Sequence, residues 1–269
     1  MRSSTITVSL LALSLGAAVA FAQAPAAAPP VPTKVTKNGP GPKSKGEETA
    51  VRALFQAQTQ SPDDQIAASE ALLSKYADTD YKGFALELEA EAYQKKGDNA
   101  KAIFYGETAL GADPKNYDAD NLLANLYAAT TKDTDLDKNE KLTKAEKYAH
   151  DSLEALEAGK PAIFATASDD AWNKTKAGAS EQAWQALGIV AQVRKNYDDA
   201  IKDFQKGLEA NPDALLMIRL GRAYFLVKKY DEAIAEDQKV IDSPDAVAQY
   251  KKIAADDKTR FTQAKGTAK

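Results

Sequence analysis

The chain has 269 residues, 28% of them charged, with a formal net charge of −4. That balance offers no basic face for nucleic acid, while 44% hydrophobic residues suits a soluble protein. The absence of cysteine excludes disulfides, thiol catalysis, thiolate metal sites and a lipid anchor on an N-terminal cysteine.

The N-terminus has the parts of an export signal. Arg2 supplies the positive start, Ile6 to Phe21 an apolar run, and Ala20-Phe21-Ala22 the small residues for cleavage before Gln23. The run is short of the ~20 apolar residues that span a bilayer. A signal over 1–22 is therefore expected, with no membrane insertion after cleavage and a periplasmic or secreted product. Gln23 to Gly46 is rich in Ala, Pro, Gly and Lys; it is expected to be a disordered tether that buries no core.

Helical hairpins follow. The first pairs Glu47 to Gln60 with Pro62 to Tyr76, where Ser61 caps a helix opened by Pro62. The second pairs Phe84 to Gly97 with Asn99 to Gly111, and Gly97 suits a left-handed helix end. The third pairs Asp118 to Thr130 with Lys141 to Ala158, separated by an insertion at about 131–140. Asp133, Asp135 and Asp137 in that insertion imitate half a calcium loop. Lys138 stands where the loop requires glycine and Lys144 where it requires a bidentate Glu, so no calcium site is expected. His150, the only histidine, lies among surface charges without a nucleophile, and no catalytic role is expected of it.

Residues 160–180 break the period. Lys160 to Ala167 reads as a loop, and Ser168 caps one long helix expected over Asp169 to Val193. Trp172 on that helix either packs on the third hairpin or is exposed for binding. The fifth hairpin runs from Ala214 to Ile241, turning at Lys228-Lys229-Tyr230. Ser243-Pro244 is expected to open a last helix, with Val247, Tyr250, Ile253, Ala254 and Phe261 on its packed side.

Glu181 to Pro212 gives these hairpins their register. Trp184, Leu187 and Gly188 fall on one face of a first helix, Ala200 and Phe204 on one face of a second, and Pro212 ends the pair. At the place of Ala200 the other hairpins carry Ala68, Ala102, Ala145 and Ala233; at the place of Gly188 they carry Ala90, Ala124 and Gly221, with Gln56 the exception. This pattern, at a period of about 34 residues, resembles the tetratricopeptide repeat (TPR) family. Ala191 departs from it, standing where the family usually has Tyr. ALLSKYADTDY, ending at Tyr81, is also similar to a turn of envelope-associated TPR proteins, among them outer-membrane assembly and Tol-Pal accessory factors.

The resemblance implies an all-α solenoid. Repeats one to three would fill 47–159, repeats four and five 181–244, and a capping helix and tail 245–269. It implies a concave groove lined by the first helix of each hairpin. The groove positions here are Glu87, Glu91, Asn121, Asn125, Gln185, Ile189, Gln192, Ile218, Arg222 and Phe225. Asn121 and Asn125 are expected to hydrogen-bond a peptide backbone. The Lys, Asn and Arg clamp of chaperone-tail-binding members is missing. The expected role is a non-catalytic envelope adaptor that binds a protein or peptide, with no cofactor and no metal. The alternatives are a self-assembling structural protein and an accessory factor of a cell-wall or outer-membrane assembly machine.

Overall fold

The computed structural model describes residues 41–267. The expected signal and most of the expected tether lie outside them. Eleven α-helices make up the described residues, joined by turns and one 3-10 turn, with no strand among them. They are α1 (Lys45–Ala57), α2 (Pro62–Lys75), α3 (Lys82–Lys95), α4 (Asn99–Ala112), α5 (Tyr117–Thr130), α6 (Lys138–Ala158), α7 (Asp169–Val193), α8 (Tyr197–Ala210), α9 (Ala214–Leu226), α10 (Tyr230–Asp242) and α11 (Ala248–Thr267). Consecutive helices pack as antiparallel pairs. The first helices also form a row, α3 beside α5, α5 beside α7 and α9 beside α11.

Local chemistry sets the helix starts. Ser44, Ser61, Asp98, Asn116, Ser168 and Asp213 each accept the backbone N–H three residues on, satisfying one orphan donor of the first turn. Three hairpin turns share one geometry. Gly97 (φ 77°), Lys195 (φ 66°) and Lys228 (φ 62°) are left-handed, and the next amide reaches back to Tyr93, Ala191 or Tyr224.

Small residues decide how closely the pairs approach. A Cβ on Gly188 would stand 2.3 Å from the Phe204 ring, so α7 and α8 meet at this spacing only with glycine there. Ala102, Ala145, Ala200 and Ala233 are fully buried. One apolar cluster runs from Ala90 to Phe261 through hairpins two to five and α11, and a second fills the first hairpin around Phe55 and Tyr81.

Three expectations need adjusting. The folded body reaches back into the expected tether: Gly41 donates to Asp80 (3.3 Å), Lys43 pairs with Asp78 (3.2 Å), and α1 begins at Lys45. Helix α6 starts at Lys138, inside the expected insertion. The last helix starts at Ala248 rather than at Pro244, which leaves Val247 exposed. The long helix, by contrast, spans Asp169–Val193 as its cap predicts. Trp172 packs on the third hairpin, edge-on to Tyr117 at 5.9 Å.

Candidate functional site

The row of first helices holds the ten expected groove residues, and most are committed within the chain. The Asn121 Nδ2 group donates to the Ala179 carbonyl (3.0 Å). Asn125 Nδ2 donates to the carbonyls of Asn121 (3.0 Å) and Gln182 (3.1 Å). Gln185 Nε2 donates to Asn125 Oδ1 (3.4 Å), and Gln185 Oε1 accepts from Arg219 Nε (3.2 Å). These amides form a polar ladder across α5, α7 and α9. The expectation that Asn121 and Asn125 hold a peptide backbone is corrected: both are buried, and their donors satisfy α7 carbonyls and the helix's own backbone.

Ile189 belongs to the core. Ile218 lies under α11, packed with Val240 and Ala254. Arg222 Nε donates to Asp257 Oδ2 of α11 (2.5 Å), and Phe225 stacks on Phe261 at 4.6 Å. The C-terminal end of the expected groove, at Ile218, Arg222 and Phe225, is therefore filled by α11. Glu87 is buried, and desolvation followed by Glu91 and Asp118 holds its carboxyl well above the usual range. Glu91 and Gln192 remain half-exposed on this face; Glu91 pairs with Lys95 (3.1 Å).

At the N-terminal end the cover is a loop. Gly159 (φ 115°) turns the chain off α6, and the single 3-10 turn Ala162–Phe164 returns toward the first two hairpins. Phe164 meets Phe84 edge-on at 6.3 Å, and Phe84 stacks on Phe55 at 4.8 Å. Ile163 and Phe164 both pack on the cluster of Val51, Leu54, Phe55, Tyr81 and Phe84. Composition alone marks this segment as irregular, and nothing in the spacing shows where its two apolar side chains land.

Sequence reasoning also missed the buried charges. Glu181 is pushed up to about 8 by burial, and nearby Asp213 adds to the shift while Arg219 opposes it. Asp237 is fully buried with no hydrogen-bond partner on either oxygen, and burial, with Asp257 beside it, raises it to about 8. Carboxyls on helix faces read as solvated until the neighbouring helix is in place. His150 is exposed. Among the described residues no group of His, Asp or Glu has the geometry of a metal site, and no helix is long and apolar enough to cross a membrane.

The comparisons with known proteins agree with this architecture. Tetratricopeptide repeat models match residues 85–116 and 181–214. TTC0263, a thermophilic TPR protein of Thermus thermophilus, is similar in structure, with a TM-score of 0.57 and 15% identity over 78% of this chain and 98% of its own. The assembly chaperone of RpL4, Acl4 (residues 1–338), overlaps more loosely, with a TM-score of 0.41 and 13% identity over 85% of this chain and 99% of its own. No curated protein matches the chain. Repeat register, hairpin packing, the two repeat-model matches and the likeness to TTC0263 together make the chain a TPR-type α-solenoid, with tetratricopeptide repeats at 85–116 and 181–214.

Proposed function

We propose that the protein is a non-catalytic scaffold that binds a protein or peptide partner on the face of its first helices, and that it is exported to the bacterial envelope. The carrying observation is the row of first helices, in which α3 lies beside α5 and α5 beside α7. Part of that face is apolar and takes up side chains from outside its own hairpins. An extended face of this kind suits a segment with anchors along its length. The export part of the reading is supported by Arg2, the apolar run to Phe21 and the small residues before Gln23.

Photo-cross-linking tests the binding part. A benzoylphenylalanine at Glu91 or Gln192 should trap a partner in living cells, and one at Phe104, which is exposed on α4, should not. Cross-links from Phe104 alone would move the site to the outer face. The mass of the protein recovered from the periplasmic fraction tests export, with Gln23 expected as the first residue.

A further inference from the structure

The loop at 159–168 is fastened to itself and to the helices beside it. Lys160 Nζ donates to the Ala167 carbonyl (2.6 Å) and pairs with Asp169 (3.1 Å). The amides of Phe164, Ala165 and Ala167 donate to Pro161, Ala162 and Phe164 within the loop. Among the described residues no hydrogen bond joins the loop to the first two hairpins. What docks it there is apolar, through Ile163 and Phe164. No residue of the 3-10 turn is fully buried.

A segment held by two half-buried side chains, with its backbone bonds satisfied internally, loses little on release. Its release would uncover Phe84, which Phe164 meets edge-on and which stacks on Phe55, in a cluster that already takes an aliphatic and an aromatic side chain from the loop. We infer that the surface formed by Phe55 and Phe84 on α1 and α3 is a docking site for a partner segment carrying an aliphatic–aromatic pair, and that Pro161–Phe164 is a resident mimic that competes for it. This rests on the scaffold reading and gives it an address.

The test uses a fluorescein-labelled peptide with the sequence of residues 158–168, read by fluorescence anisotropy against the full chain. A site occupied most of the time weakens apparent affinity by the fraction it is open. The Ile163→Ala/Phe164→Ala chain should therefore bind the peptide about tenfold or more tightly than the unaltered chain. The same peptide with Ala for its Phe should bind neither. Equal affinity, or no binding to a variant with unchanged circular dichroism, overturns the inference.

Hydrogen exchange on the unaltered chain covers the case of a variant that misfolds. The Phe164, Ala165 and Ala167 amides should exchange far faster than those of α3, and equal protection overturns the idea. A doubled mass in solution that Phe164→Ala abolishes would assign the surface to a second copy instead. Cross-links at Glu91 or Gln192 without peptide binding would leave the scaffold and remove this site. Peptide binding without cross-links would keep the site and remove the scaffold as drawn.

Discussion

The two ends of the inner face are covered by different means. At the C-terminal end α11, a 20-residue helix, lays Phe261 on Phe225 and Asp257 on Arg222. Phe261 and Ala254 have no exposed surface, and Arg260 sits over both aromatic rings. At the N-terminal end the cover is a loop with one 3-10 turn, docked through Ile163 and Phe164. The helix continues the repeat stack, whereas the loop rests on it. A terminal face of a solenoid must be closed for the fold to persist, and α11 closes one.

Truncating each aromatic tests that contrast with the largest effect. Phe261→Ala empties a fully buried position and should cost about 3–5 kcal/mol in urea unfolding. Phe164→Ala removes a half-buried side chain and should cost about 1 kcal/mol or less. Equal costs would make the loop as structural as α11. A second pair probes close packing within the hairpins. Gly188→Ala forces a methyl group into the Phe204 ring and should cost about 1–3 kcal/mol. Gly111→Ala meets no atom within 4 Å and should gain roughly 0.5–1 kcal/mol through helix propensity.

Acidity should act on both halves alike. Burial raises Glu89 and Asp120 to about 7 in the N-terminal half, and Glu181 and Asp237 to about 8 in the C-terminal half. Unfolded carboxyls titrate near 4, so between about pH 4 and 8 the folded state holds protons that the unfolded state has released. The stability these four groups contribute is therefore full below about pH 4 and falls as pH rises through that window. Thermal unfolding from pH 5.5 to 8 should show a falling Tm, and Asp237→Asn should flatten the slope. A Tm that rises over this range would contradict the burial of these groups.

A smaller gain is expected in the turns. Lys228 holds the left-handed conformation that Gly97 holds in hairpin two. Lys228→Gly should stabilise by about 1 kcal/mol, measured by urea unfolding, and Gly97→Lys should lose a similar amount.

The hairpins were legible because small residues recur where paired helices meet. Ala102, Ala145, Ala200 and Ala233 mark the packing positions, and Gly188 marks the closest of them. The cap at Ser168 was legible for a local reason: its side chain serves an amide three residues away. The groove was not. Family positions placed Asn121, Asn125 and Gln185 on the inner face, but α7 and α9 lie close enough to take their hydrogen bonds. Nor could the path of Phe164 be read, because its contact with Phe84 crosses two hairpins and leaves no periodic trace.

The two segments that interrupt the repeat period complete the comparison. The loop at 159–168 turns its apolar residues inward, while the turn before α6 leaves Leu136 fully exposed. The acidic residues of that turn are engaged by lysines of the chain. Asp133 pairs with Lys138 (2.6 Å), Asp137 with Lys141 (3.0 Å), and Asp135 accepts from the Lys132 amide and from Lys141 Nζ (3.1 Å each). The Lys138 hydrogen bond holds the Asp133 carboxyl below its usual range. A calcium ion would have to displace lysines that already neutralise these oxygens, and the ligand set would still lack its closing Glu. Leu136→Ser should leave stability within about 0.5 kcal/mol, and millimolar calcium should move the Tm no more than magnesium does. A calcium-specific rise lost in Asp133→Asn would overturn this reading and make the turn a cation site.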